Sequence, residues 1–398
     1  MPGPLDGIKV VDFSQVVSGP FAAMLLGDQG AEVIKVEPLD GPGDTTRGAA
    51  SFAKGGFPSL FLNNNRGKRS IGLDLTTDEG RQVAVDLCAS ADIVVQNFRP
   101  GAMERLGLDY ASIKAVNDTI IYCSISGFGP TGPYADRAIL DPVIQGLTGI
   151  VSRQLNPEVP FPDLVRNLIS DKSSALTAAQ AISTALFVRE RSGIGQHIEV
   201  PMLDATTYFF WNDGMMDKTV IDDDASGGLR IADVYRLTDC ADGKIVYFVS
   251  SDPMLRQLFA AVGHPEWNED PRFESVTALA GEGNFEALGV LLAEAFLAMT
   301  VDQALTSLAE HSVPGGPILD ADQAIADPQL VHNQTLRIWD HPTAGKIQQP
   351  RPAARFSETP AAFREAASSR GQDTDQILAE LGRTPEEIQA LRDGGSAG

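Results

Sequence analysis

The sequence predicts an α/β protein in which a doubly wound parallel sheet forms a large domain and a smaller α+β domain interrupts the chain. Three observations lead there. The first half alternates strand and helix patterns, which is how a parallel sheet with helices on both faces is written. At 398 residues the chain exceeds one ordinary compact core, so two domains are expected. After Asp204 the composition changes, first to an aromatic and Met-rich stretch, ATTYFFWNDGMMDK, and then to acidic helical segments.

Taken in order, residues 8–13 (IKVVDF) and 32–37 (EVIKVE) are short β-rich runs, separated by a helical stretch near 21–28. Residues 70–75 (SIGLDL) read as the next strand. Thr76 and Glu79 then make a capping-box pair that opens a helix to about Ser90. Residues 92–96 (DIVVQ) and 119–126 (TIIYCSIS) are further strands. The first strand-to-helix turn, in DFSQVVSGPFAAM, has no G-x-G-x-x-G, so the usual pyrophosphate cradle for a dinucleotide is missing. Glycines punctuate later turns, SGFGPTGPY and SGIGQ, where plain tight turns explain them.

Residues 169–204 carry the most information. Ala175, Ala178, Ala179, Ile182, Ala185 and Leu186 recur at three- and four-residue steps and mark one buried helix face. Arg189, Arg191 and then Gly193 are the expected stop. Asp171 falls at the mouth of this helix, where an N-cap belongs. Position alone allows two roles: a plain cap, or a carboxylate held on the helix dipole as a covalent nucleophile.

Beyond Asp204, the run DVYRLTDCADGKIVYFVS reads as a strand pair turning at Ala241-Asp242-Gly243. The expected division is a large domain from residues 1–204, a crossover linker at 205–225, a small domain at 226–320, and a return to the large domain at 321–398. That return contains strand-like KIQQP and a helix at 373–381. The terminal DGGSAG is expected to be disordered.

A net charge of −22 argues against nucleic acid and anionic membrane as partners. Basic residues gather locally, with Lys54, Arg66, Lys68, Arg69, Arg81 and Arg99 lying between Arg47 and Arg105, so an anionic ligand is compatible. Cys88, Cys123 and Cys240 have wide, irregular spacing that supports neither a disulfide framework nor a metal site. The first residues lack the features of a signal peptide and no run approaches a membrane span, so a cytoplasmic protein is expected.

Read together, several stretches resemble the class III CoA-transferases, the CaiB/BaiF family that includes formyl-CoA and carnitine-CoA transferases. They are PLDGIKVVDFSQVVSGPFAAMLLGDQGAEVIKVE, NNNRGKRSIGLDL, QNFRPGAMERLGLDY, GFGPTGPYADR, LISDKSSALTAAQAI and RERSGIGQHIEVPMLDA, in family order from Pro4 to Ala205. The resemblance implies a Rossmann-like large domain made from both chain ends and two subunits interlocked as a homodimer. It implies acyl-CoA and a free carboxylic acid as substrates, with no permanently bound cofactor. It also implies Asp171 as nucleophile, forming an aspartyl anhydride and then an aspartyl-CoA thioester. Backbone N–H donors at the helix mouth or in a glycine loop, Gly227-Gly228, would stabilise the oxyanions; a solvent turn is the alternative for that loop. Gln15 and Ser18 would meet the thiol end of CoA, Leu73 the adenine, Asn97 and Phe98 the ligand edge of the sheet, and Arg105 the phosphates, with Leu106 beside it in the CoA site. Asp141 matches an acidic position near the nucleophile; it would position the thioester or the catalytic loop, or cap its own helix. For Arg47, Arg66 and Arg99 exposed salt bridging is the simpler explanation.

Two rivals are weaker. An α-methylacyl-CoA racemase shares the fold, but it supplies a His immediately before the acid matching Asp141, and here that residue is Leu140, which carries no proton. An NAD-dependent oxidoreductase would need the missing glycine fingerprint. His197, at the start of a strand, is expected to make a structural hydrogen bond. Tyr208, Phe209, Phe210, Trp211, Met215 and Met216 read as an acyl pocket or as core and interface.

Overall fold

The computed structural model describes residues 3–154, 162–222, 228–361 and 366–398. The chain divides into two compact units: one built from residues 1–152, 162–209 and 332–398, the other from 153–161 and 210–331.

The first unit is organised by a six-stranded sheet. Its strands are β1 (Lys9–Asp12), β2 (Glu32–Glu37), β3 (Arg69–Gly72), β4 (Ile93–Gln96), β5 (Ile121–Ser126) and β6 (Gln196–Pro201). They lie in the order β3-β2-β1-β4-β5-β6, every pair parallel. The winding direction reverses between β1 and β4, so the carboxyl ends of these two strands open a crevice where ligands bind in such sheets. The central strands are near-continuous apolar runs because both their faces are covered; all four residues of β4 are buried.

Alternation along each strand sends neighbours to opposite faces. Val11, Val94 and Tyr122 pack under α2 (Asp78–Ala89) and α4 (Tyr110–Val116), which follows the short α3 (Ala102–Leu106). Val10, Ile93, Val95 and Ile121 pack on the other side against α1 (Ser18–Asp28) and α6 (Ile169–Ser192). The face of α6 expected from its periodicity is the one buried: Ala175, Ala178, Ile182 and Ala185. These small side chains let α1 approach closely through Ala22 and Ala23.

Two local expectations shift. The cap of α2 is Thr77, whose hydroxyl accepts from Gly80 N, because Asp74 has already engaged the amide and hydroxyl of Thr76. The terminal Gly-rich segment is ordered. Ala397 pairs with Leu73, Gly398 N donates to Gly72 O at 3.1 Å, and Thr374 Oγ1 holds Gly398 O at 2.8 Å. Backbone pairing with an otherwise open edge strand outweighs the flexible composition.

KIQQP forms one arm of a hairpin, Gly345–Pro350 against Leu336–His341. In the second unit a three-stranded antiparallel sheet, Gly315–Pro317, Lys244–Tyr247 and Thr238–Asp239, carries helices Asp252–Ala261, Asn284–Leu297 and Val301–Glu310. Ile245, Phe259, Phe296 and Leu308 form its core. Among the described residues no single helix is long and apolar enough to cross a membrane, and no His, Cys, Asp and Glu cluster could hold a metal.

Candidate active site

The crevice between β1 and β4 brings the first turn of the chain against the start of α6. The turn runs from Ser14 to Val17 and delivers Ser18 as the first residue of α1. Gly19 is required here, since a Cβ would collide with the Ser14 side chain. Across the crevice Asn97, just past β4, clasps the turn: Gln15 N donates to Asn97 Oδ1 at 2.8 Å, and Asn97 Nδ2 donates to Gln15 O at 2.7 Å and to Ser18 Oγ at 3.3 Å.

Asp171 sits in the first turn of α6 but does not cap it. The N-cap position is Leu168, which has no side-chain acceptor. The cap comes from outside the helix: Asp141 Oδ2 accepts from Ser170 N at 2.7 Å and Asp171 N at 3.0 Å. Asp141, itself the first residue of α5 (Asp141–Leu147), is held by Gln145 Nε2 at 2.6 Å on Oδ1. Asp141 does cap a helix, then, though not its own. With Ile169 N on Asn167 O and Lys172 N on Leu168 O, the first amides of α6 are all engaged, so this helix mouth has no donor left for an oxyanion. The Asp171 carboxylate faces the hydroxyl and the backbone N–H of Ser18 instead.

The electrostatics of Asp171 depart from those of an ordinary surface carboxylate. Burial, and then the neighbouring Asp141 charge, push the Asp171 pKa up to about 6, while the Ser18 donors pull against that shift. Asp171 is only 8 % exposed. A cavity of about 250 Å³ opens in the same crevice, lined by Gln15, Val16, Asn97, Phe98, Arg99, Ser126, Arg137 and Ile139 among others. Asp171 is not in its wall; Ser18 links the two, facing Asp171 on one side and bonded to the lining residue Asn97 on the other. A second cavity of about 270 Å³ shares Phe98, Arg99, Pro100 and Ser126 with the first and extends over Tyr110, Ser124 and His197.

Of the expected residues, Asp171, Asp141, Gln15, Ser18, Asn97 and Phe98 converge on this crevice. Arg105 is exposed on α3 with Leu106 half-buried beside it. Leu73 is fully buried in the core, so its side chain is closed to a ligand in this structure. Gly228 is exposed in the second unit, and Gly227 lies outside the described residues. His197 makes the hydrogen bond expected of it, Nε2 to Ser124 Oγ at 2.9 Å. Arg47 and Arg66 do form salt bridges, to Glu37 and Asp28, but buried ones rather than exposed. Arg99 and Arg137 line the cavity, and neither they nor Arg105 has a carboxylate partner among the described residues. Arg137 stacks on Tyr134 at 3.8 Å. It, Val16, Ser126 and Ile139 are lining residues of the first cavity that the sequence alone did not single out. Arg137 left one faint signal, a basic residue in the Gly-rich stretch that leads into Asp141.

Comparison with known proteins gives the family. The sequence profile of CoA-transferase family III matches residues 5–374. The chain is 33% identical over 390 residues to a succinate–glutarate CoA-transferase of Agrobacterium fabrum, covering 95% of this chain and 96% of that protein. It is 30% identical over 417 residues to a formyl-CoA:oxalate CoA-transferase of a Bradyrhizobium species, covering 98% and 97%. A crystal structure of a CaiB/BaiF family protein from Brucella suis superposes with a TM-score of 0.79 at 34% identity, covering 96% of this chain and 100% of that one.

Proposed function

The chain belongs to CoA-transferase family III, and from that membership we propose that it passes CoA between acids through covalent intermediates on Asp171. That it is a CoA-transferase acting on an acyl-CoA and a carboxylic acid follows from the family; the route through the protein is our reading. The observation that carries it is a carboxylate with a pKa near 6, held against the Ser18 donors in the same crevice as a cavity at the switch point of the sheet.

The Asp171 carboxylate attacks the acyl-CoA carbonyl, and the C–S bond breaks to give a mixed anhydride and CoA thiolate. The thiolate attacks the aspartyl carbonyl, forming an aspartyl-CoA thioester and releasing the donor acid. The acceptor carboxylate attacks that thioester, giving a second anhydride and thiolate. Attack of the thiolate on the acceptor acyl carbon then yields the new acyl-CoA and restores Asp171. Each step exchanges acyl derivatives, so the scheme calls for neither ATP nor a metal. Each oxyanion needs donors, and with the amides at the start of α6 occupied by Asp141, Ser18 is the donor assigned here.

Gln15, Ser18, Asn97 and Phe98 are assigned to the thiol end of CoA, and Arg99, Arg105 and Arg137 to its phosphates. Leu106, half-buried beside Arg105, is assigned to the nucleotide end of CoA, while Leu73, closed in the core, would act there only by backing the strand that carries it. Gly227 and Gly228 are the proposed glycine loop. The acids named for the relatives, succinate, glutarate and oxalate, are the first acceptors to try. A homodimer is proposed because Leu176, Phe187 and Tyr208 present apolar surface to solvent in the single chain; a monomer stable to dilution in sedimentation would sink it. Three unbridged thiols suit a reducing compartment, the cytoplasm.

The test of the route is trapping. Incubation with succinyl-CoA followed by hydroxylamine should convert Asp171 to a hydroxamate, read by peptide mass spectrometry. Transfer that proceeds with Asp171 unmodified would overturn it.

A further inference from the structure

Beneath the first turn lies a set of buried charges that the transfer chemistry does not use. Asp12, Lys35, Asp44 and Lys68 are each at most 3 % exposed. Lys68 Nζ meets Asp12 Oδ2 at 2.7 Å and Lys35 Nζ meets Asp44 Oδ2 at 2.9 Å, so two cations balance two anions. Burial alone would raise the Asp12 pKa, but Lys68 and Lys35 hold it below the ordinary carboxylate value.

These groups also grip the turn at three points and the start of α1 at a fourth. Lys35 Nζ donates to Ser14 O at 2.7 Å and Lys68 Nζ to Pro20 O at 2.8 Å. Asp12 Oδ1 accepts from Ser14 N at 2.9 Å, and Asp44 Oδ1 from Val16 N at 3.3 Å. Asp44 is anchored in turn: its Oδ1 takes Thr46 N at 2.9 Å, and its own N–H donates to Glu37 Oε2 at 3.0 Å.

Four buried charges are an expensive way to hold a fold together, since apolar residues of similar volume are often as stabilising or more so. What they hold is unusual. Val16 has φ +72°, in the left-handed region where a β-branched side chain is strained. On either side of it stand Gln15, which pairs with Asn97, and Ser18, which faces Asp171.

We propose that the Lys35–Asp44 pair, backed by Asp12 and Lys68, is a positioning device that holds Val16 in the left-handed conformation and so sets Gln15 and Ser18 in place for CoA. Without it Val16 relaxes to negative φ, the turn rotates, and the rim of the cavity loses its shape. The proposal rests on the reading of this crevice as the CoA site.

The test exploits glycine, which adopts positive φ without steric cost. Lys35→Met/Asp44→Asn removes both charges of one pair together, leaving no lone ion there. CoA affinity is measured by calorimetry with and without that double substitution, in the natural chain and in a Val16→Gly background, after circular dichroism establishes folding. Loss of the pair should weaken CoA binding more than tenfold in the natural chain and less than threefold in the Val16→Gly background. An equal loss in both backgrounds overturns the device and leaves the charges a purely structural role. Should the double substitution not fold, Asp44→Asn alone is compared in the same two backgrounds by the same criterion. Because the readout is binding, a failed trapping at Asp171 sinks the covalent route without touching this result.

Discussion

The two helix starts that meet in the crevice solve the same problem in opposite ways. Both α1 and α6 begin without a side-chain cap of their own. At α6 a buried carboxylate from thirty residues away, Asp141, takes up the first amides. At α1 the Ser18 amide and hydroxyl instead face the Asp171 carboxylate. One helix end is filled by a structural anion and the other faces the acid proposed to react. On that reading, the helix that carries the proposed nucleophile is not the helix that serves it. The donors that face Asp171 come from α1, and the buried ion pairs are proposed to hold that end still.

The largest break in this comparison is removal of the anion proposed to react. Asp171→Asn should lower CoA transfer by at least about 10⁴-fold, as loss of a covalent nucleophile does, in a spectrophotometric transfer assay. Its effect on stability should run the other way. Because the folded-state pKa is raised from 3.8 to about 6, the folded protein binds a proton more tightly than the unfolded chain between those values. Wild-type stability therefore falls as pH rises through that window, and the full penalty persists above it. Urea titrations should find the Asn variant more stable above pH 6, by at most about 3 kcal/mol, with the difference vanishing below pH 4. An Asn variant less stable at pH 7 would mean that Asp171 mainly holds structure.

Removal of the structural anion is the next largest break. Asp141→Ala strands two buried amides and should cost about 1–3 kcal/mol in urea unfolding. Asp141→Asn keeps an acceptor but removes the charge, which is the second cause, after burial, of the raised Asp171 pKa. Its kcat/KM profile against pH should rise at lower pH than that of the wild type. An unshifted profile would remove Asp141 from the electrostatics of the site and leave it as a cap alone.

The unequal treatment of the two ends was only half legible in the sequence. The strands, the face of α6 and the convergence of Gln15, Ser18 and Asn97 were readable, since they follow from local periodicity and from a family pattern carried by contiguous motifs. Asp141 was readable as a candidate, but its partner was not, because a carboxylate that caps a distant helix leaves no periodic trace. The basic cluster between Arg47 and Arg105 suggested an anion site, yet Arg47, Arg66, Lys68, Arg69 and Arg81 are each paired with a carboxylate of the same chain. Only three-dimensional pairing separates those from Arg99 and Arg105. Val16 gave no warning at all, because valine is among the residues least expected at positive φ.

A weaker break at α1 sharpens the contrast between binding and chemistry. Ser18→Ala removes one of the two donors facing Asp171, so the carboxylate pKa should climb further and kcat should fall by roughly 10- to 100-fold, in the range of a single lost oxyanion donor or somewhat less. Arg137→Ala, in the lining of the cavity, removes only a proposed phosphate contact. It should raise KM for the acyl-CoA by about three- to tenfold with kcat unchanged, the mark of binding energy used equally in ground and transition states. Added salt should shrink that difference, because Arg137 is solvent-exposed and its attraction to phosphate is screened. If Arg137→Ala lowered kcat instead, the cation would be acting on the reacting carbonyl. The division between a cavity that binds and a helix end that stabilises charge would then have to be redrawn.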